Sequence, residues 1–261
     1  MTLALDLPLL AVGAAIALRL SVLAALLPFL GARAVPVLWR VALAVVTAAA
    51  LAPAVRTQLP PQAIVLTWTT IVGEAARSCL IGALLAVSLS IPFEAVKFAG
   101  QIIDVKIGFS IANIIDPTSG LQLSLLSNFY NLLAVLLFFA VDAHHALLRA
   151  LVASCTMVPL FAPIDGTAGA WLLVDEFGAF FRLGLQAGAP CVLVLMLVSA
   201  AMGVIVKTVP QINIIVIGFP IQIAVGLAVL GLSLAWFNQV FTILLQGMSG
   251  QLERLLLALH T

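Results

Sequence analysis

The sequence predicts an all-α, polytopic integral membrane protein, and three observations carry that expectation. Apolar residues make up 64% of the chain and charged residues 8%. The apolar residues gather into continuous runs of bilayer length, and prolines punctuate the first three of those runs. An ordinary soluble domain is about half apolar and about a quarter charged, because a folded surface in water must still be covered by polar groups. Backbone groups in lipid must be satisfied internally, which leaves helices and closed barrels. Barrel strands alternate apolar and polar positions, whereas these runs are unbroken and rich in Leu, Ala and Val. They are helices. No hydrophilic stretch is long enough for a second folded module, so residues 1–261 are expected to form a single membrane domain of long helical hairpins with broken and amphipathic segments.

A spanning helix takes about 20 mostly apolar residues. Leu7–Leu30, Val35–Val55, Ile64–Ile91 and Leu121–Val141 meet that length, followed by Gln186–Val206 and Ile214–Leu245. The last exceeds one span and is expected to be tilted, bent or partly outside the bilayer. Pro28, Pro36, Pro53, Pro60 and Pro61 punctuate the first three segments, as at helix ends and turns. The short connection Gly31-Ala32-Arg33-Ala34 predicts an antiparallel hairpin of the first two. Asp6 and the lack of a basic n-region argue against a cleaved signal peptide. Arg33, Arg40, Arg56, Lys97, Lys106, Arg149, Arg182, Lys207 and Arg254 are spread along the chain without favouring alternate loops. The positive-inside rule therefore gives no orientation, and a simple zigzag of spans is not expected.

Four interruptions carry more information. Within the third apolar stretch, Glu74 and Arg77 stand three residues apart and share a helix face. Charges inside a membrane segment usually face protein or water, so this is either an intersubunit or pore-lining contact, or a self-neutralised pair. Next, Glu94, Lys97, Gln101 and Asp104 follow a 3–4–3 spacing down one stripe of a helix over residues 93–107. Phe93, Val96, Ala99, Gly100, Ile103 and Ile107 form its other face. Such an amphipathic helix belongs at an interface or against partner subunits. The third is an apolar loop, Gly108–Leu121, containing Phe109, Ile111, Asn113, Ile114, Asp116 and Pro117. Asp116-Pro117 turns the backbone away from helix, and apolar side chains in a pore seal it by dewetting. The fourth is the break from Pro210 to Pro220, which includes Gln211, Asn213 and Gly218. Non-helical backbone at membrane depth has to be packed in protein or line a cavity.

No enzyme is expected, and no cofactor. The chain has no Walker A, GxSxG, GxGxxG or HExxH pattern. His144 and His145 are adjacent after Asp142, so they point to different helix faces and are not expected to share one metal ion. Cys79, Cys155 and Cys191 lie in apolar runs without CxxC spacing and read as small core or lipid-facing residues. A net charge of +1 gives no basis for nucleic-acid binding.

The order of these motifs resembles the FliR/SctT family, subunits of the type III protein-export gates of flagella and injectisomes. The likeness runs from Leu26-Leu27-Pro28-Phe29-Leu30-Gly31, Val35-Pro36 and Arg40, through Gly73-Glu74, to Ala99-Gly100-Gln101-Ile102-Ile103-Asp104, Gly108 and Asp116-Pro117. It continues with Phe138, Asp142-Ala143-His144 and Ser154…Pro159, and closes on Pro210-Gln211-Ile212-Asn213 and Ile217-Gly218-Phe219-Pro220. The resemblance implies a non-enzymatic subunit of a hetero-oligomer with FliP-type and FliQ-type subunits and an FlhB-type switch protein. It implies a bacterial inner-membrane pore for unfolded export substrates, with membrane lipid around it. By the same resemblance, Gly108–Leu121 is the plug of the closed pore, with Phe109, Ile111 and Ile114 as sealing groups. Ala143 stands where relatives often have glycine, and Gln222 where many injectisome members have lysine; Ile-Gly-Phe-Pro is the more flagellar version. The injectisome counterpart is the alternative within the family, and a small-molecule transporter the alternative outside it.

Overall fold

The computed structural model describes residues 7–27, 35–58, 67–109, 124–158, 160, 166–209 and 214–260. Among these residues there are seven helices and no strand: α1 (Leu7–Leu26), α2 (Val37–Gln58), α3 (Trp68–Ile107), α4 (Leu125–Ala140), α5 (Ala143–Met157), α6 (Gly166–Thr208) and α7 (Ile214–His260). Five of them, α1, α2, α3, α6 and α7, are long and apolar enough to cross a membrane. The all-α membrane class expected from composition is the class observed, and the chain is a multi-pass membrane protein.

The helices are longer than the apolar runs. Residues 64–91 and 93–107 read as two segments in the sequence, yet α3 is one helix of 40 residues with Pro92 inside it. A proline there removes one main-chain donor, leaving the Ser88 carbonyl without its helical partner. Membrane helices tolerate this where neighbouring elements pack around the site, and Phe93, Val96 and Ala99 just beyond it are buried. Likewise α6 contains Pro190 and α7 contains Pro220. Gly218 and Pro220 are therefore part of a helix rather than of the break expected between Pro210 and Pro220. The apolar-run criterion gives no helix between Val141 and Gln186, where the structure forms α5 and the first half of α6. Those stretches carry His144, His145, Arg149, Asp175, Glu176 and Arg182 and so never form a continuous apolar run.

The chain divides into two compact units. The first comprises Met1–Ile91, Asp142–Phe177 and Gln246–Thr261; the second comprises Pro92–Val141 and Gly178–Leu245. In the first unit α1 pairs with α2, and Val12, Ile16, Leu20 and Leu23 are buried with Ile81, Leu85 and Leu89 of α3 and Leu151 of α5. In the second, an aromatic core forms around Phe93, whose ring meets Phe138 edge-on at 5.6 Å and Phe241 at 5.9 Å. Tyr130 adds an edge contact to Phe237 at 4.8 Å. Aromatic pairs in such geometries each contribute about 0.5–1.5 kcal/mol beyond burial. Small residues allow the helices to approach: a Cβ on Gly100 would lie 2.5 Å from the Ser127 Cα, so α3 and α4 touch backbone to backbone there.

Both units leave large apolar side chains outside. Leu38, Trp39, Trp68, Trp171 and Leu232 are each at least 70% exposed. Such a surface requires lipid or other subunits against it.

Candidate functional site

Two polar clusters stand out, one in each unit, because buried charge in so apolar a chain must be compensated. In the first unit the sequence places Glu74 and Arg77 on one face of α3, and the structure buries both. Arg77 Nε lies 3.2 Å from Glu74 Oε2, and the Ser78 hydroxyl donates to Glu74 Oε1 at 3.1 Å. A third charged group joins them. Arg19 of α1 has no solvent exposure, and its Nη2 lies 3.9 Å from Glu74 Oε1. Its Nη1 donates to the Ser154 carbonyl of α5 at 2.7 Å and to the Ser154 hydroxyl at 3.2 Å. One guanidinium thus ties α1 to both α3 and α5.

Arg19 is a residue that reading the apolar runs missed. It sits thirteenth in α1, where it scarcely lowers the mean hydropathy of its segment. The signal was present all the same: an arginine far from either end of an apolar run cannot reach water by snorkelling and needs a partner. A second tie in this unit joins α3 to α6, where the Ser88 hydroxyl donates to Glu176 Oε2 at 2.7 Å.

In the second unit the stripe Glu94, Lys97, Gln101, Asp104 divides. Glu94 and Gln101 are exposed, Lys97 is half-buried, and Lys97 Nζ pairs with Glu94 at 2.6 Å. Asp104 instead is 3% exposed. Helix geometry explains the difference: at about 100° per residue, Asp104 falls about 80° from Glu94 but only about 20° from Phe93 and about 40° from Gly100. It lies on the border of the buried face, where α4 packs.

Asp104 ties together the two sides of the segment predicted as a plug. Its main-chain carbonyl accepts from the Gly108 and Phe109 amides, both at 3.1 Å, as α3 ends. Gly108 has φ 96°, a conformation that glycine adopts without steric cost at a helix C-terminus. The Asp104 carboxylate reaches the start of α4, accepting from the Leu126 amide at 3.1 Å and from the Ser124 hydroxyl. Ser124 is the N-cap residue of α4 but makes no capping bond with its own side chain. Asp104 supplies the cap from another helix and sets a negative charge at the positive end of the α4 dipole.

Of the predicted plug residues, Phe109 is described and half-buried at the end of α3. Ile111, Asn113, Ile114, Asp116 and Pro117 lie outside the described residues, as do Pro210, Gln211 and Asn213. Gly218 is buried and Pro220 exposed within α7.

The histidine pair departs from expectation. Asp142 adopts φ 55°, and among the described residues it is the only non-glycine residue with positive φ. Its Oδ1 lies 3.9 Å from His144 Nε2 and 3.8 Å from His145 Nδ1, and the two rings stand 4.2 Å apart. The two imidazoles and the Asp142 carboxylate therefore lie close together at the start of α5.

Both charged clusters hold helices together. Comparison with known proteins gives this arrangement its context. Residues 10–248 match the family described as "Bacterial export proteins, family 1". The chain belongs to that family. Among its relatives, the flagellar biosynthetic protein FliR of Bacillus subtilis is 36% identical over 159 residues, covering 60% of this chain and 61% of that protein. The protein of the same name from Pectobacterium carotovorum is 32% identical over 176 residues, 64% of this chain and 67% of the relative. That of Escherichia coli is 31% identical over 216 residues, 82% of this chain and 80% of the relative. The matched span thus reaches less than two thirds of the Bacillus relative's length and four fifths of the Escherichia relative's.

Proposed function

We propose that this chain is a structural and gating subunit of the flagellar type III protein-export apparatus. It contributes to the inner-membrane pore through which unfolded flagellar substrates are exported. The observation that carries the reading is the family match over residues 10–248 together with relatives named flagellar biosynthetic protein FliR. The chain acts without catalysis: it shapes the pore, and energy comes from elsewhere in the apparatus. Its partners are FliP-type and FliQ-type subunits and an FlhB-type switch protein, which together with lipid cover the apolar faces of both units. Glu94 and Gln101 are exposed and Lys97 is half-buried, and the three are available for subunit contacts. Asp104, Glu74 and Arg77 act instead by holding the helices that present those contacts.

In the closed state the Gly108–Leu121 segment plugs the pore, sealed by Phe109, Ile111 and Ile114. The geometry that supports this is the placement of the segment's ends: Phe109 and Ser124 are both bonded to Asp104, so the loop leaves and returns at one point of the second unit. The test is genetic and biochemical. Deleting the gene should abolish secretion of hook and filament subunits, and expressing the chain in trans should restore it. Normal flagellar export in the deletion strain would remove the flagellar reading, and loss of host-directed effector secretion instead would assign the chain to an injectisome.

A further inference from the structure

The start of α5 carries Asp142-Ala143-His144-His145, which holds two of the three histidines of the chain. Asp142 is the N-cap residue of α5, and an aspartate there ordinarily accepts a hydrogen bond from an amide of the first turn. This one makes no such bond. Its carboxylate faces the two imidazoles, and one ligand atom from each of the three residues lies within 4.8 Å of the other two. Zinc bonded at about 2.0–2.2 Å in a tetrahedron holds its ligand atoms about 3.3–3.5 Å apart. The Asp142–His144 and Asp142–His145 separations of 3.9 and 3.8 Å have to close by about 0.5 Å to reach that range. The three side chains are exposed or half-exposed, at 74% for Asp142, 36% for His144 and 61% for His145.

We propose that Asp142, His144 and His145 form a three-ligand site for a divalent late first-row transition metal ion, with water in the fourth position. Two imidazoles and one carboxylate suit zinc, nickel or copper, with copper bound most tightly in the usual affinity order. They do not suit calcium or magnesium, which take oxygen ligands. An occupied site closes a clamp across the first turn of α5, fixing Asp142 in its left-handed conformation. The competing account of the same geometry is an ion pair formed when an imidazole is protonated, with no affinity for metal. The proposal is independent of the export reading, because its test reads metal and not secretion.

The experiment uses the full chain without a polyhistidine tag, purified in detergent and titrated with Zn²⁺ by calorimetry. Cu²⁺ and electron paramagnetic resonance then count the nitrogen ligands. The expected result is one Zn²⁺ per chain and two imidazole nitrogens on copper. H144Q, H145Q and D142N should each weaken binding by about tenfold or more, while H260Q leaves it unchanged. All three substitutions are at exposed or half-exposed positions, and circular dichroism verifies that the helices are retained. No binding up to about 1 mM Zn²⁺, or binding that persists in the H144Q/H145Q double variant, overturns the site and leaves the ion pair.

Discussion

Replacing Asp104 by alanine should release the start of α4 from the end of α3 without unfolding either helix. The carboxylate accepts from the Leu126 amide and the Ser124 hydroxyl at a point that is 3% exposed. Removing it leaves one buried donor unmet, the Leu126 amide, at about 1–3 kcal/mol, and one part-buried donor, the Ser124 hydroxyl, at the lower end of that range. The favourable placement of a charge at the α4 N-terminus adds about 0.3–1 kcal/mol. Partial rehydration of Ser124 offsets part of this, so the expected net loss is about 3 kcal/mol, roughly a hundredfold in the local opening equilibrium. Asp104→Asn keeps one acceptor oxygen for the Leu126 amide and loses the charge and the second acceptor, about 1 kcal/mol. Amide hydrogen exchange in the purified protein reads this directly. Leu126 and its neighbours in the first turn of α4 should exchange about a hundredfold faster in the alanine variant and less than about tenfold faster in the asparagine variant. Amides in the middle of α3 should not change. Acceleration at Leu126 of no more than about twofold in the alanine variant would refute the clasp.

Arg19→Met should lower the stability of the folded protein in detergent by about 3–5 kcal/mol, because it leaves buried Glu74 with one cation fewer; Ser154→Ala should lose only about 1 kcal/mol. Thermal unfolding monitored by light scattering compares the two, and equal effects would contradict the arginine's role as the tie. Gly100→Val should prevent α3 and α4 from packing and sharply reduce the yield of folded protein. Gly73→Ala, where a Cβ meets nothing within 4 Å, should be accepted at near-normal yield. Replacing Phe109, Ile111 and Ile114 together by glycine should make the closed gate leak small molecules, measured as dye or ion uptake in whole cells; unchanged permeability would remove the plug assignment.

The sequence disclosed the class of this fold more readily than its extents. Composition alone dictates helices in lipid, and the hairpin of the first two segments appears as the α1–α2 pair. Helix ends were harder to see, because Pro92, Pro190 and Pro220 lie inside helices that packing sustains, whereas in isolation each signals a break. Of the polar groups, Glu74 and Arg77 were legible as a pair from their spacing. Arg19 was hidden by its apolar neighbours, and its partners, Ser154 and Glu74, are 135 and 55 residues away, a distance no local pattern bridges. Asp104 was legible as polar and helical, but the direction it faces depends on where α4 docks. Ideal helix geometry sends adjacent side chains to different faces, and the closeness of His144 and His145 to Asp142 is not something their adjacency reveals.

The central claim, that the chain is built for an export-gate assembly, is tested most directly by the native mass of the particle it purifies in. Extracted in mild detergent from cells that express the chromosomal apparatus, the tagged chain should elute as one large complex. Native mass spectrometry should find FliP-type and FliQ-type subunits bound to it. A chain that runs as a stable monomer, binds a small solute and carries no export-apparatus subunit would contradict the account.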